Sequence, residues 1–413
     1  MISEQTKKHI KEAENSLKTE FEYIEDIRDY NQEKVLNAFT ENKVAPEHFY
    51  TVSGYGHDDL GKEILDNVFA STFKAEAAFA RTHIVSGTHA LSCVLFGNLR
   101  AGEKLVSVTG TPYDTMQEVI GLTGGKRESL IGHGVLYDEV DLLQNGEVDF
   151  EGIANKIDNS VKMVEIQRSR GYSLRPSINI ETIEKICKIV KSKNPNCICF
   201  VDNCYGEFVE KREPLEAGAD IIAGSLIKNP GGGIVETGGY VAGKKEYVEQ
   251  AAMSLTAPGI GREGGAMLNQ HRLIFQGLFM APSVVCDAVK GAVLASKIFE
   301  DIGFISTPKY YEKRTDLIQT ITFNKPEPLE QFCRTIQELS PVNSYVTPVP
   351  DDVPGYEDKI IMAAGTFIEG STIELSADGP MRPPYAVYMQ GGLTYSHVKL
   401  VLQNIFEKVK NSK

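Results

Sequence analysis

The lysine at position 228 ends an apolar segment, residues 219–228, and is followed by a glycine-rich turn at 229–233. A buried ammonium group is costly to desolvate, so a lysine beyond a core strand needs a charged partner or a covalent role. A Schiff base removes this cost because it converts the amine into an imine. The alternative is a lysine whose stem crosses the sheet edge while its ammonium group reaches water. Lys228 alone leaves both interpretations open.

An aspartate, Asp202, follows the apolar run 197–201 and precedes Lys228 by 26 residues. This interval is long enough for one turn-helix-strand crossover, which would bring both side chains to the ends of neighbouring strands. A carboxylate that keeps a pyridine nitrogen protonated turns the ring into an electron sink, as pyridoxal 5'-phosphate requires. The alternative for Asp202 is a cap of the following turn. Together the two residues predict a pyridoxal-phosphate site in which Lys228 holds the cofactor as a Schiff base.

Hydroxyl and N–H groups at further strand ends are suited to the phosphate of that cofactor. Ser86-Gly87-Thr88 follows a predicted strand at 82–85 and opens a helix, where free N–H groups favour an anion. Ser225 would add a hydroxyl three residues before the lysine. Tyr113 follows the predicted strand 104–108, and its ring can stack on a pyridine while its phenol assists proton transfer. The alternatives are helix caps for the serine and threonine, and a core position for the tyrosine.

Short apolar strands alternate with amphipathic helices through the middle of the chain. The pattern predicts an α/β fold whose sheet is covered on both faces and binds ligands beyond the carboxyl ends of its strands. The predicted strands are 82–85, 104–108, 161–166, 197–201, 220–223 and 239–242, and the predicted helices are 60–80, 86–98, 113–122 and 181–193.

The two ends of the chain have different patterns. Residues 1–40 predict one or two helices, and a long helix is predicted at 284–300. An α+β region follows, with predicted strands at 316–323, 359–367 and 371–376 and predicted helices at 327–340 and 395–410. We therefore predict an N-terminal helical segment (1–55), a large cofactor-binding α/β domain (56–283) and a C-terminal α+β domain (284–413).

Residues 259–264 spell G-x-G-x-x-G, the pattern of a dinucleotide-binding loop. That fingerprint needs a strand, then the loop, then a helix, whereas this loop follows a helical stretch and Ala257-Pro258. We therefore expect a flexible loop near the site or at a dimer seam, with Arg262 directed to a phosphate or to water.

Composition excludes several classes of function. The 413-residue chain has a formal net charge of −13 and a pI near 5.2, which argues against nucleic acid as a partner. The apolar run 284–298 is interrupted by charged residues, so no membrane span is expected. Seven cysteines without a secretion signal predict reduced thiols in the cytoplasm. The C-x-C pair at 197 and 199 has no second ligand pair at the required spacing, so no metal site is predicted.

The order of these residues resembles that of the fold-type-I pyridoxal-phosphate enzymes of cysteine and methionine metabolism. Residues 201–233 (VDNCYGEFVEKREPLEAGADIIAGSLIKNPGGG) are similar to the signature of the cystathionine and methionine lyase branch, through Asp-Asn, PLEAGAD and Ser-x-x-Lys. The likeness is greatest to the cystathionine beta-lyase-like and methionine gamma-lyase-like aluminium-resistance proteins of bacteria. It implies the aspartate aminotransferase fold, with a mostly parallel seven-stranded sheet and a smaller α+β C-terminal domain.

The resemblance also implies a role for each matching residue. Lys228 would form the Schiff base and Asp202 would pair with the pyridinium nitrogen. The remaining implied cofactor contacts are Gly87, Thr88 and Ser225 on the phosphate, Tyr113 on the ring, and Tyr55 on the phosphate of a neighbouring subunit in a homodimer or homotetramer. Three segments depart from the family pattern: Tyr55-Gly56-His57 replaces Tyr-x-Arg, 225–228 replaces Ser-x-Thr-Lys, and 165–171 replaces Glu-Ser-Pro-x-Asn-Pro.

The implied activity is a carbon–sulfur lyase that cleaves a small amino acid of the cystathionine, methionine or cysteine type by α,β- or α,γ-elimination. Lys228 would remove the α-proton while the cofactor ring absorbs the charge. A substrate carboxylate calls for a bidentate arginine, for which the resemblance indicates Arg382, with Arg168 and Arg170 as alternatives. An aminotransferase, a cysteine desulfurase or a threonine-type lyase would use the same lysine and aspartate. A non-catalytic relative with a binding or metal-tolerance role would keep only the fold.

Overall fold

The computed structural model describes residues 2–353 and 358–410. Three helices precede the first strand: α1 (Glu4–Ser16), α2 (Lys18–Glu41) and α3 (Leu60–Phe73). The Ser3 hydroxyl accepts a hydrogen bond from the Thr6 N–H, and the Asp59 carboxylate accepts one from the Lys62 N–H, so side chains cap the first and third helices. The prediction of one or two helices in residues 1–40 is confirmed.

Seven strands form the large sheet. They are β1 (Ala77–Arg81), β2 (Lys104–Ser107), β3 (Leu136–Glu139), β4 (Val161–Gln167), β5 (Ile198–Asp202), β6 (Ile221–Ser225) and β7 (Gly239–Gly243). The order across the sheet is β1-β7-β6-β5-β4-β2-β3. Only β7 runs antiparallel to its neighbours, and the remaining pairs are parallel. The predicted seven-stranded, mostly parallel sheet is confirmed.

Helices cover both faces of this sheet. They are α4 (Gly87–Asn98), α5 (Asp114–Ile120), α6 (Phe150–Lys156), α7 (Ile180–Lys193) and α8 (Lys245–Leu255). Strand β5 shows how the two faces are built, since Ile198 and Phe200 join one apolar cluster while Cys199 and Val201 join the other. A strand that is buried on both faces reads as a continuous apolar run, as this one does.

Helix α9 (His271–Asp301) connects the two sheets and packs against α2, α3 and the C-terminal helix. By length and composition this helix could cross a membrane, but 72% of its most apolar 18-residue stretch is buried inside the protein. The helix begins well before the predicted start at 284 and contains Pro282. It therefore runs through the predicted boundary between residues 283 and 284, and the division into three domains stays a prediction.

The C-terminal region contains β8 (Ile305–Thr307), β9 (Gln319–Thr322), α10 (Pro326–Glu338), β10 (Ile360–Ala363), β11 (Ser376–Pro380), β12 (Ala386–Gln390) and α11 (Tyr395–Val409). Its five strands form an antiparallel sheet in the order β10-β11-β12-β9-β8. The predicted α+β character is therefore confirmed. The strand predicted at 371–376 is wrong, because that segment leads into β11, and β12 was not predicted.

Three local predictions in the large sheet need correction. The first strand lies at Ala77–Arg81 and not at 82–85, because its hydrogen bonds pair it with β7. The predicted helix 60–80 ends at Phe73, where Lys74 adopts a left-handed backbone conformation. The crossover from β5 to β6 contains a 3-10 turn at Pro214–Ala217 in place of the expected helix.

Candidate active site

Asp202 and Lys228 lie at the carboxyl ends of two adjacent parallel strands. Asp202 is the last residue of β5 and pairs with Ala223 of β6, and Lys228 follows three residues after β6 ends at Ser225. Both parallel strands end at the same edge of the sheet, so the two side chains share one site. The expectation that they occupy neighbouring strand ends therefore agrees with the geometry.

Burial and charge act against each other at this pair. Burial raises the pKa of Asp202, while Lys228 and the Cys204 N–H, 3.0 Å from Asp202 Oδ1, lower it, and the net shift is upward. Burial lowers the pKa of Lys228, but Cys204, Tyr205, Asp202 and Tyr113 outweigh it and raise that pKa. The net shift of the Lys228 pKa is therefore upward, in the direction that favours the ammonium form.

The start of helix α4 lies against the lysine. A Cβ atom placed on Gly87 would be 3.3 Å from Cys204 Sγ, 3.4 Å from Ser225 Cβ and 3.7 Å from Lys228 Nζ. The glycine thus keeps open a space that the lysine, the serine and the first turn of the helix share. The Ser86 hydroxyl accepts a hydrogen bond from the His89 N–H at 3.0 Å, so this serine caps the helix.

Tyr113 is fixed next to the same helix. Its hydroxyl lies 3.0 Å from Thr88 Oγ1, and its backbone N–H donates to Gln167 Oε1 at 2.8 Å. Burial and the nearby Asp202 carboxylate raise the pKa of the Tyr113 phenol. The phenol therefore stays protonated at neutral pH and can donate a hydrogen bond.

Two residues beside the lysine were not found from the sequence. The Lys228 Nζ atom lies 4.3 Å from the centroid of the Tyr205 ring, and Cys204 contacts the site through its N–H and its thiol. Tyr205 has φ = +68°, which is rare for a residue other than glycine. The position of Cys204 and Tyr205 directly after Asp202-Asn203 could have indicated that they belong to the site. Apolar and aromatic residues after a strand, however, usually belong to the hydrophobic core.

A cavity of about 500 Å³ lies beside Tyr113. Its wall includes Gln167 and three arginines, Arg170, Arg175 and Arg382, together with the carboxylates of Asp114 and Asp358. Arg382 has a half-exposed side chain and pairs with Asp358, with Nη1 3.0 Å from Oδ2. Two of the three arginines predicted for a substrate carboxylate therefore line one cavity, and Arg175 joins them without having been predicted.

Arg168 is placed elsewhere. It is fully buried, and its two terminal nitrogens donate to Asn203 Oδ1 at 2.7 Å and to Glu210 Oε2 at 2.8 Å. It does not line the cavity, since its guanidinium group is engaged in the core beneath the sheet edge. The geometry therefore gives Arg168 a structural position and not the substrate position considered for it.

Tyr55 and the glycine-rich loop meet on the surface. The Tyr55 side chain is 80% exposed, and its carbonyl oxygen accepts a hydrogen bond from the Gly265 N–H at 2.8 Å. Arg262 lies 3.9 Å from the Asp66 carboxylate, and its carbonyl oxygen accepts from Arg81. The G-x-G-x-x-G segment is therefore a loop held to the Tyr55 segment and does not lead from a strand into a helix, as expected.

All seven cysteines lie within the described residues, and all are buried and unpaired. Within 2–353 and 358–410, no group of three or more histidine, cysteine, aspartate or glutamate side chains is arranged to hold a metal ion.

A sequence model of the family described as methionine gamma-lyase matches residues 6–410. The chain belongs to the methionine gamma-lyase family. It is 50% identical over 394 residues to the uncharacterised protein YnbB of Bacillus subtilis, with 95% of this chain and 94% of YnbB covered. A crystal structure from Listeria monocytogenes, provisionally named a cystathionine beta-lyase involved in aluminium resistance, is 49% identical, covers 98% of this chain and 100% of its own, and superposes with a TM-score of 0.96.

A more distant member of the fold is the pyridoxal-5'-phosphate-dependent protein YhfS of Escherichia coli. It is 16% identical, covers 93% of this chain and 97% of its own, and superposes with a TM-score of 0.62, which shows the fold alone. The family resemblance and the fold type I predicted from the sequence are confirmed by these matches.

Proposed function

We propose that the protein is a pyridoxal-phosphate-dependent carbon–sulfur lyase that acts on a sulfur amino acid by α,β- or α,γ-elimination. The observation that carries the proposal is the convergence of Lys228, Asp202 and Gly87 at one sheet edge, next to an arginine-lined cavity. Membership of the methionine gamma-lyase family supports the same class of reaction.

The residues at the sheet edge fit pyridoxal 5'-phosphate. Lys228 would hold it covalently, the buried Asp202 would face the ring nitrogen, and the first turn of α4 with Thr88 and Ser225 would receive the phosphate. Gly87 has no side chain between the first turn of α4 and Cys204, Ser225 and Lys228, which suits a group that approaches the backbone closely. When bound, this cofactor supplies an electron sink for the charge left at the substrate α-carbon.

The substrate would be oriented by the arginines of the cavity. Arg382 and Arg170 line this cavity from the C-terminal region and from the loop after β4. Arg175 lines it as well, although its guanidinium donates to the carbonyls of Gln167 and Ser169. A guanidinium fork binds a carboxylate with two parallel hydrogen bonds, which fixes the α-carbon relative to the lysine. The substrate is therefore an amino acid whose free carboxylate faces this wall.

Two side chains are placed to move protons. Lys228 Nζ would take the proton from the substrate α-carbon once it is released from the cofactor, and Asp202 keeps the site electrostatically balanced. The Tyr113 hydroxyl, held by Thr88, would donate a hydrogen bond or a proton to the departing sulfur. Tyr113 keeps its proton at neutral pH because burial raises the pKa of its phenol.

The proposal includes a homo-oligomer, a dimer or a tetramer, in the cytoplasm. The exposed Tyr55, on a loop tied to Gly265, is available to complete the site of a second copy. Seven buried, unpaired cysteines are typical of a reducing compartment.

A substrate screen of the purified holoprotein tests the activity. We expect thiol, ammonia and a keto acid from cystathionine, methionine or cysteine, together with absorbance at about 420 nm from the bound cofactor. Transfer of the amino group to an added keto acid would identify an aminotransferase, and release of sulfur as a persulfide would identify a cysteine desulfurase. A protein that stays colourless with added cofactor would instead be a non-catalytic relative.

A further inference from the structure

Three arginines form a buried cluster between the large sheet and the C-terminal region. Arg170, Arg175 and Arg314 are 3%, 9% and 6% exposed. Across residues 2–353 and 358–410, none of the three takes part in an ion pair with a carboxylate; their hydrogen bonds go to neutral groups such as Ser169 O, Thr307 O and Gln319 Oε1. Buried charges in proteins are normally paired, so this arginine cluster carries an excess of positive charge.

The acidic residue that affects all three members of the cluster is Asp316. Its Oδ2 atom accepts hydrogen bonds from the hydroxyls of Ser169 and Ser177, and its Oδ1 atom accepts from the Ile318 N–H. Burial and the neighbouring Arg170 lower the pKa of Arg314 and Asp316 raises it, with a net value of about 10. Glu312 also raises the pKa of Arg170 and of Arg314, but among the described residues neither carboxylate forms an ion pair with the three arginines. The cluster therefore keeps more positive than negative charge.

The cluster separates two cavities. Arg170 and Arg175 line the cavity beside Tyr113, whereas Arg170 and Arg314 line a second cleft of about 690 Å³. This volume is within the range of sites that bind small molecules. The second cleft lies between the loop 174–181, the segment 210–212 and the segment 307–315.

Most charges in the second cleft already have partners. Glu210 pairs with Arg168, Lys211 with Asp26, and Arg212 with Glu184. Two exposed carboxylates also line the cleft: Glu312, whose Oε2 atom accepts a hydrogen bond from the Lys309 N–H, and Glu181. Lys313 is different: it is exposed, its ammonium lies 5.8 Å from the Tyr23 ring centroid, and it has no ion pair with any described carboxylate. The cations that remain for a ligand are therefore Lys313, Arg314 and Arg170.

We propose that the second cleft binds a small anion with a carboxylate or phosphate group, held by Lys313 and Arg314, and that this anion controls substrate affinity through Arg170. Guanidinium and ammonium groups together are the donors that such anions prefer. This site is separate from the proposed reaction site, since it shares only Arg170 with the substrate cavity.

The direction of the control follows from Coulomb's law. An anion in the second cleft neutralises part of the positive potential at Arg170 and so weakens the attraction of the cavity for a substrate carboxylate. Because coupling between two binding sites is reciprocal, the substrate weakens anion binding by the same factor. We expect KM to rise about fivefold with the anion while kcat changes little.

Binding is tested on the holoprotein with inorganic phosphate, and separately with succinate, against potassium chloride of equal ionic strength. Isothermal titration calorimetry should find one anion site whose affinity falls about tenfold in Arg314→Gln, because a hydrogen-bonded charge is lost. Lys313→Ala, an exposed substitution that leaves the fold intact, should weaken it about threefold. Lys193→Ala is the matched control, since it removes an exposed lysine outside the cleft.

The calorimetric readout of anion binding does not depend on catalysis, so it separates the anion site from the proposed activity. Weakened binding in both cleft variants and unchanged binding in Lys193→Ala and Arg382→Gln supports the site, and preference for phosphate or succinate identifies the ligand class. Equal affinity in the wild type and Lys313→Ala, or a loss confined to Arg382→Gln, would show that the anion binds in the substrate cavity and would overturn the inference. A KM rise with phosphate that persists in Lys313→Ala would overturn the coupling.

Discussion

The ammonium nitrogen of Lys228 lies 4.3 Å from the centroid of the Tyr205 ring, with the tyrosine buried and the lysine half-buried at the same sheet edge. A cation at this distance from an aromatic face is stabilised by the ring quadrupole, by up to about 2 kcal/mol when both are desolvated. Tyr205 reaches this position through a left-handed backbone conformation directly after the strand-end turn. The ring therefore positions the lysine that the proposed chemistry requires.

Replacement of Tyr205 tests this positioning role. Tyr205→Leu removes the ring, and we expect kcat/KM for thiol release to fall about tenfold and the absorbance of the bound cofactor to change its pH dependence. Tyr205→Phe keeps the ring and should remain within about threefold of the wild type. A loss in Tyr205→Phe as large as in Tyr205→Leu would show that the hydroxyl, and not the ring, is what matters.

Arg382 is expected to bind the substrate carboxylate. Arg382→Ala should raise KM about tenfold with a small change in kcat, because a hydrogen bond to a charged group is lost in binding. Asp358→Asn, which releases Arg382 from its ion pair at 3.0 Å, is the matched control and should lower KM or leave it unchanged. Steady-state kinetics with the best substrate measure these KM values. An unaltered KM in Arg382→Ala would mean that Arg170 or Arg175, and not Arg382, binds the substrate carboxylate.

The space at Gly87 is expected to admit the cofactor. A Cβ atom there would lie 3.3 Å from Cys204 Sγ and 3.7 Å from Lys228 Nζ, so Gly87→Ala is accommodated by small shifts while the larger Gly87→Val fills the space. We expect pyridoxal-phosphate affinity within about threefold of the wild type for alanine and weakened more than tenfold for valine. Absorbance titration measures the affinity, and circular dichroism checks that both variants are folded. Full cofactor binding by Gly87→Val would contradict this placement.

Glu165 gives the stability a pH dependence of defined sign. Burial raises the pKa of this carboxyl to about 7; its Oε2 atom accepts from Ser107 Oγ at 2.8 Å, and among the described residues its Oε1 atom has no partner. The pKa of Glu165 is higher in the folded protein than in the unfolded chain, so the unfolded chain loses this proton at a lower pH. The free energy of unfolding therefore falls as the pH rises from about 4.5 to about 7. Glu165→Gln should therefore raise the free energy of unfolding at pH 8 by on the order of 3 kcal/mol and change it little at pH 4.5.

Urea denaturation at the two pH values measures the effect of Glu165→Gln, with the exposed Glu128→Gln as the control. An equal gain at pH 4.5 and pH 8 would mean that packing and not ionisation is responsible.

The sequence was sufficient to place the two central residues, because parallel strands bring their carboxyl ends together whatever the connection between them. It was not sufficient for the connection itself, since the segment between Asp202 and Ile221 contains a 3-10 turn in place of the expected helix. Strand β1 was misplaced because its pairing with β7 is a tertiary feature, and the apolar content of 77–81 continues that of the preceding helix. The start of the long helix was predicted too late, at 284, because the packing of α9 in the core keeps the helix continuous through Pro282.

The site residues that could not be placed from the sequence also depend on tertiary structure. The separation of Arg168 from Arg170 could not be predicted, since both flank Ser169 in one loop and only the fold turns Arg168 into the core. Arg175 was not predicted as a site residue, and its guanidinium donates hydrogen bonds to the carbonyls of Gln167 and Ser169 at the cavity wall. The contact of Tyr205 with Lys228 depends on a backbone conformation that sequence patterns favour only for glycine, asparagine or aspartate.

One amine of this chain, that of Lys228, is proposed to carry the cofactor. Incubation with pyridoxal 5'-phosphate, reduction with sodium borohydride and peptide mass spectrometry identify the lysine that becomes permanently labelled. We predict a single modified peptide with the label on Lys228 and no comparable label in Lys228→Ala. A label on another lysine in the wild type, or an equal label in Lys228→Ala, would contradict the account.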